Sequence, residues 1–281
     1  MALKSFNICL VKPDNYIHSY AFVELGELLF YSLRELGYDT TMKMMELTDD
    51  RINIMIGCHL LNPSLAKKIP KSTIILNTEQ IHSDDTSWNS NIFEWVKHFS
   101  VWDYSTRNIE KLKSLGISNV KHLQIGFQKE LKRIEKAAVQ DIDVLFYGSI
   151  NERRKKILEA LKSQGLRVET LFGVYGADRD RFIGRSKIVL NHHFYKSQIF
   201  EIVRVFYLLH NEIAVVAEIN ETTHIENRWK EAVSGASYDQ LAVQILNLLN
   251  AQPLRKAVEA NGLAQIRKFP QHVFTAEVLA D

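Results

Sequence analysis

Three sets of side chains in this 281-residue chain could do chemistry. The first is Tyr147-Gly148-Ser149-Ile150-Asn151-Glu152-Arg153-Arg154-Lys155-Lys156, which follows an apolar run and opens a helix. Gly148 lets the backbone come close to a ligand, Ser149 offers a hydroxyl, and Arg153 and Arg154 carry fork-shaped donors that match a diphosphate. Cations at a helix N-terminus oppose the macrodipole and so call for an anion; the alternative is a solvated turn that serves solubility. The second set is Asn191-His192-His193-Phe194-Tyr195, followed by Glu201 and Arg204 on one helix face, either a ligand-binding pair or a surface ion pair. The third comprises Asp14 and His18 in the loop after the first apolar run, Glu24 on the helix that loop opens, and Glu79 in the loop Asn77-Thr78-Glu79-Gln80-Ile81-His82. Glu79 reads equally well as a ligand contact or as the cap of the next helix.

Other chemistries lack their residues. No glycine-rich dinucleotide fingerprint or phosphate loop occurs, so nicotinamide, flavin and nucleoside-triphosphatase readings lose their support. The acidic pairs Asp84-Asp85, Asp141-x-Asp143 and Asp178-x-Asp180 read as ordinary loop acids, and no metal site is expected. His192-His193 does not make a zinc site unaided, because adjacent residues of an extended segment point in opposite directions. Cys9 and Cys58 lie inside apolar runs and read as buried thiols in a reducing compartment. With 35 Lys plus Arg against 33 Asp plus Glu, a net charge of +2 gives no whole-protein field for nucleic acid, so any anion site is local.

The elements that must position these residues alternate between strand and helix. Phe6–Val11 is a short apolar run ending at the polar Lys12-Pro13-Asp14-Asn15-Tyr16. Phe22, Leu25, Leu29, Leu33 and Leu36 then recur at helical spacing up to Gly37, a left-handed C-cap. The same junction of helix, glycine and strand recurs at Gly116 and Gly165. Further runs at Ile52–Ile56, Thr73–Leu76 and Phe99–Trp102 predict about six strands in a first domain covered by helices on both faces. After the charge-rich segment that starts at Gln128 the pattern restarts at Ile142. It predicts strands Val144–Tyr147, Val168–Phe172, Ile188–Leu190 and Ile213–Ala217, helices Arg154–Leu161 and Ile199–Leu209, a further helix through Leu241, Ile245 and Leu248, and a last short helix after Pro270.

The fold class is therefore α/β, two Rossmann-like parallel-sheet domains in tandem. Domain 1–127 is followed by an exposed linker, 128–140, and by domain 141–281, whose tail is expected to pack back on the first domain. In open parallel sheets ligands bind at the carboxyl ends of the strands, which is where all three sets of residues fall.

The order Gly148-Ser149-x-x-x-Arg153-Arg154, then Ser186-Lys187-Ile188-Val189-Leu190-Asn191, then Glu201-x-x-Arg204-x-Phe206-Tyr207, then Ala214-Val215-Val216-Ala217-Glu218 resembles the C-terminal domain of GT-B glycosyltransferases. It is most similar to the bacterial glycosyltransferase-like group allied to the CgeB proteins. The resemblance runs over Asp141–Phe269 and is architectural over Met1–Phe127. It implies two domains facing a central cleft, the N-terminal one holding the acceptor and the C-terminal one a nucleotide-sugar donor, with no metal and no cofactor beyond that co-substrate. It also implies a donor-binding set of Gly148, Ser149, Arg153, Asn191, Tyr195, Glu201 and Arg204. In that set Gly148, Ser149 and Arg153 lie by the diphosphate, Arg204 reaches a phosphate and Glu201 binds a ribose hydroxyl. Relatives commonly carry a Glu three positions after that arginine, the usual ribose ligand, where this chain has Tyr207. Either Glu201 takes over, or the donor is unusual, or donor binding has been lost.

The function expected is a metal-independent hexosyl or pentosyl transfer, in bacterial glycan biosynthesis, to a hydroxyl of a glycan, lipid, protein or modified nucleic acid. Inversion needs a base on the acceptor hydroxyl, for which His18 stands first, with Asp14 and Glu79 as the other catalytic candidates. The alternatives are a non-catalytic nucleotide-sugar or glycan-binding module and a nucleotide-sugar hydrolase or epimerase of the same fold. The N-terminus has no secretory h-region and no stretch reaches membrane-spanning length, so the cytoplasm is the expected location, with the inner face of the membrane as its peripheral variant.

Overall fold

The computed structural model describes residues 4–81, 87–195 and 198–280, the side chains of 87–89 excepted. His82 and the Asp84-Asp85 pair lie outside the described residues. The chain divides into one unit of Met1–Gln128 with Pro270–Asp281 and a second of Lys129–Phe269.

The first unit runs β1 (Ser5–Leu10), α1 (Val23–Glu35), β2 (Asp39–Met44), β3 (Ile52–Ile56), β4 (Ile74–Asn77), α2 (Ser87–Val96), β5 (Ser100–Asp103), α3 (Thr106–Ser114) and β6 (Val120–His122). Its six strands are parallel in the order β2-β1-β3-β4-β5-β6. Winding therefore reverses between β1 and β3, and the carboxyl ends part there. The strands are buried on both faces because helices cover both: Phe6, Ile8, Leu10, Ile54 and Ile56 on one face, Asn7, Cys9, Asn53 and Met55 on the other. Leu25, Leu28, Leu29 and Leu33 turn α1 onto the sheet. Gly37, at φ +86°, ends that helix, with Tyr38 N–H donating to the Leu33 carbonyl at 3.0 Å, a closure that needs a left-handed residue. A second core gathers Ile75, Ile92, Trp95, Val101 and Leu112.

The second unit runs β7 (Ile142–Tyr147), α4 (Glu152–Ser163), β8 (Val168–Leu171), α5 (Gly176–Arg185), β9 (Ser186–Asn191), α6 (Ile202–His210), β10 (Val215–Glu218), α7 (Asn227–Lys230), β11 (Ser234–Ala236), α8 (Leu241–Asn250) and α9 (Gln252–Arg267). Five parallel strands stand in the order β11-β10-β9-β7-β8, with the reversal between β7 and β9. Val144, Phe146, Leu158, Leu161, Ile188 and Val216 form its core with Leu241, Ile245 and Leu248 of α8. The last helix, α10 (Gln271–Ala280), belongs to the first unit. Gln271 Oε1 accepts from Gly126 N–H at 2.6 Å, and the Thr275 hydroxyl lies 2.9 Å from that of Ser32 in α1.

The segment read as a free linker is instead a strap on the second unit. Leu131 is buried, the Asn211 side chain accepts from both Arg133 and Ile134 N–H at 2.7 Å, and Ala137 N–H donates to the Gly184 carbonyl. Leu131, the backbone N–H groups of Arg133 and Ile134, and the side chains of Arg133 and Lys136, on Tyr207 and Glu259, are all engaged by the second unit, which composition does not reveal. Helix α6 starts at Ile202, later than the predicted Ile199, because Ile199 bridges His224 as extended backbone. Strand β11 and helix α9 were not expected: Ser-Gly-Ala carries no apolar signal, and α9 buries the polar Arg255 and Glu259 on its inner face.

Candidate functional site

At the β7/β9 reversal of the second unit, Gly148 leaves the sheet at φ +125°, a conformation side chains rarely adopt. An ideal Cβ on it would meet Arg204 Nη2 at 3.2 Å, so the guanidinium lies directly against this glycine. Arg204 also sits over the Tyr147 ring, 5.7 Å from its centroid, and its Nη1 stands 3.0 Å from Glu201 Oε2 as an ion pair without hydrogen-bond alignment. Glu201 is the residue before the first turn of α6, and its other oxygen accepts from Arg154 Nη2 at 3.1 Å. Arg154 is buried. It donates to the His192 carbonyl from Nε and Nη2, at 3.1 and 2.6 Å, and to the Ser149 carbonyl from Nη1 at 2.9 Å. The Asn151 side chain caps α4 by accepting from Arg154 N–H.

Arg153 points to a different partner. Its two terminal nitrogens bind both oxygens of Glu218 at the end of β10, and its guanidinium stacks on Tyr238, 3.9 Å from the ring centroid. Glu218 also accepts from His193 N–H at 3.0 Å and Asn220 Nδ2 at 2.7 Å. Asn191 is buried at the end of β9 with neither side-chain polar atom hydrogen-bonded, and His192 beside it is in the same state at both ring nitrogens. Ser149 is exposed, and Tyr195 packs its ring edge-on to Phe194 at 5.0 Å.

Charge follows this geometry. Burial disfavours the ionised Glu201, but the adjacent Arg204 and Arg154 outweigh it and hold the carboxyl below its usual range. Burial pulls Arg154 down to about 10, with Glu201 opposing. Burial, helped by Arg154, pushes His192 down to about 3, so its imidazole is neutral at pH 7. Tyr207, at the departure from the family pattern, is buried; its hydroxyl donates to Asp180 Oδ2 at 2.7 Å and accepts from Arg133 Nε at 3.0 Å. Burial and Asp180 raise its pKa.

In the first unit the catalytic candidates follow two strands: Asp14 and His18 come after β1, and Glu79 after β4. Asp14 is exposed in the loop after β1, where Asn15 takes φ +61°. His18 is half-buried on a 3-10 turn, edge-on to Tyr16 at 5.4 Å. Glu79 Oε1 lies 3.6 Å from Nε2 of His59, which follows β3 and was not singled out in the sequence. Burial pushes His59 down to about 4, and burial together with the Glu79 charge raises Tyr16. The Glu79 backbone is clamped: its carbonyl accepts from the side chains of Asn77 and Asn108, both at 2.9 Å, and both asparagines also bind the buried Asp103. Glu24 is buried on α1.

The structure thus brings Gly148, Arg204 and Glu201 to one place, with Arg154 joining them, and separates Arg153, which pairs with Glu218. Among the described residues no three His, Cys, Asp or Glu side chains are placed to hold a metal ion. Asp141, Asp143 and Asp180 each face a cation, Arg185, Lys187 and Arg179 respectively. Cys9 and Cys58 are buried free thiols, pushed up by burial to about 11 and about 12. His59 and Asp103 carried no motif; the only signal available was their place at the carboxyl ends of β3 and β5.

No family model matches the chain. It is 28% identical to "Uncharacterized protein L140" of Acanthamoeba polyphaga mimivirus over 213 residues, 72% of this chain and 67% of that protein. It is 27% identical to protein L137 of the same virus over 78% of this chain, which spans only 30% of that longer relative. Among solved structures, Anabaena HepE in complex with UDP and glucose superposes with a TM-score of 0.63 at 10% identity, over 99% of this chain and 100% of HepE. T4 phage BGT in complex with its UDP-glucose substrate superposes at 0.60 and 13% identity, over 99% and 98%. TarM superposes at 0.55 and 13% identity over 91% of this chain, which spans 57% of TarM. The two parallel sheets, of six and five strands, are those of the two-domain α/β GT-B glycosyltransferase fold. No described helix is long and apolar enough to cross a membrane.

Proposed function

We propose that the chain is a metal-independent glycosyltransferase that moves a hexosyl or pentosyl group from a nucleotide diphosphate sugar to a hydroxyl acceptor, needing no cofactor beyond that co-substrate. The observation that carries this reading is Arg204, held against Gly148 at the β7/β9 reversal, where a diphosphate would meet both a fork of donors and a side-chain-free backbone. HepE and T4 phage BGT share the fold and are complexed with UDP or UDP-glucose, which supports a UDP-sugar donor here. The donor side is the second unit and the acceptor side the first. The acceptor oxygen attacks the anomeric carbon and the sugar–phosphate bond breaks. The nucleoside diphosphate then leaves, its growing charge met by Arg204, while the acceptor proton passes to a base among His18, Asp14 and Glu79. The order of motifs over Asp141–Phe269 supports an alliance with the CgeB group, acting in the cytoplasm or at the inner membrane face on a glycan, lipid, protein or modified nucleic acid.

Calorimetric titration of UDP into wild type, Arg204→Ala and Arg204→Lys tests the reading. Alanine is expected to weaken binding at least tenfold and lysine to recover only part, because it keeps the charge and loses the fork. Equal affinities for all three would remove Arg204 from the donor site. A second reading, a binding module without catalysis, is favoured by Tyr207, whose hydroxyl is committed to Asp180 and Arg133 where relatives offer a carboxylate. Product analysis with and without an acceptor separates transfer from binding alone, and from hydrolysis or epimerisation of the donor.

A further inference from the structure

Arg154, Glu201 and Arg204 share one buried carboxylate between two guanidinium groups, and the two arginines are held very differently. Arg154 has 2% of its side chain exposed and is fixed on three acceptors: the carbonyls of His192 and Ser149 and Glu201 Oε1. Arg204 keeps 27% of its side chain exposed and touches Glu201 Oε2 at 3.0 Å without alignment, its Nη1 finding no hydrogen-bond acceptor. Two cations on one anion leave the trio with one positive charge in excess. The partly solvated member is the one lying against Gly148. Glu201, by contrast, has only 12% of its side chain exposed, and each of its oxygens already faces an arginine.

We propose that Glu201 is a positioning residue: anchored by Arg154, it holds the Arg204 guanidinium against Gly148 to receive a phosphate, and it makes no contact with the ribose. The proposal rests on the donor-site reading above and changes the role assigned to Glu201 within it. Arg154 remains hydrogen-bonded to Glu201 when Arg204 moves, so Arg204 can turn toward an incoming diphosphate without leaving the buried carboxylate unpaired. Arg154, with its remaining donors on backbone carbonyls, ties this arrangement to the ends of β7 and β9.

The test uses the full chain and three probes, UDP, 2′,3′-dideoxy-UDP and inorganic pyrophosphate, each titrated calorimetrically into wild type, Glu201→Gln and Arg154→Lys. Positioning predicts that Glu201→Gln weakens all three probes by a similar factor, tenfold or more, so that the ratio of UDP to dideoxy-UDP affinity stays that of wild type. Arg154→Lys, which keeps the cation and loses the fork, is expected to show the same signature at smaller size, and it serves if Glu201→Gln does not fold. A ribose ligand predicts the opposite: the UDP to dideoxy-UDP ratio collapses to one in Glu201→Gln while pyrophosphate binding is unchanged. That result, or unchanged affinity for all probes in both variants, overturns the proposal and leaves the donor reading standing. A wild type that binds neither UDP nor pyrophosphate overturns both.

Discussion

Lowering the pH from 7.5 to 5 is expected to destabilise the second unit and leave the first nearly unchanged. In the second unit His192 and His210 are buried, and burial pushes their pKa values down to about 3 and about 4; His193 is lowered for the same reason. In the unfolded chain an imidazole takes up its proton near pH 6.5, whereas these rings stay neutral in the fold until the pH is well below 5. The unfolded state therefore binds more protons, and stability present above pH 6.5 is lost as the pH falls. Each ring removes roughly 2 kcal/mol by pH 5, so His192 and His210 together remove about 4 kcal/mol. In the first unit His59, pushed down to about 4, acts in the same direction. Asp103 acts against it. Burial raises its carboxyl to about 7, despite hydrogen bonds from Asn77, Ser105 and Asn108. The folded state thus takes up a proton through pH 7 that the unfolded carboxylate does not, a gain of about 2–3 kcal/mol by pH 5 that offsets His59. Urea unfolding at the two pH values, read by pulse hydrogen exchange on peptides of β1–β4 and of β7–β10, checks this unit by unit. With a urea dependence of about 2 kcal/mol per molar, the midpoint of the second unit falls by about 2 M and that of the first by less than about 0.5 M. The edge-on contact of His192 with Phe146, at 5.1 Å, lets His192→Phe recover about half of the loss. Equal shifts in both units, or a larger one in the first, would refute the assignment of these buried neutral and protonated groups.

Gly184→Ala places a Cβ 2.3 Å from the backbone carbonyl oxygen of Glu135 on the strap, a contact that only backbone movement relieves; it should cost the second unit about 2–4 kcal/mol in urea unfolding. His18→Ala is expected to lower turnover by about 10²–10⁴ while leaving UDP affinity at the wild-type value, as steady-state rates and calorimetry would record; weaker UDP binding with unchanged turnover would remove His18 from the base role. Transfer is expected to survive EDTA, and loss of activity restored by a divalent ion would contradict the metal-independent mechanism.

Much of this fold was legible along the chain because parallel strands covered on both faces are largely apolar runs and because glycine ends the helices between them. Phe6–Leu10, Ile52–Ile56 and the Gly37, Gly116 and Gly165 junctions are local signals, set by side-chain burial and by backbone sterics that need no distant partner. The positions of Gly148, Glu201 and Arg204 near strand ends were readable for the same reason. What these residues bind was decided by tertiary structure. Arg153 and Arg154 are adjacent and alike in sequence, yet consecutive helix positions point about 100° apart, and one reaches Glu218 of β10 while the other reaches Glu201 before α6. The linker became a strap only because Asn211, some 77 residues away, satisfies its backbone. His59 and Asp103 acquire their environments from strands adjacent in space and distant in sequence. Strand order and burial set a side chain's partners and its charge state, and these depend on the whole sheet, whereas the period of apolar residues depends only on near neighbours.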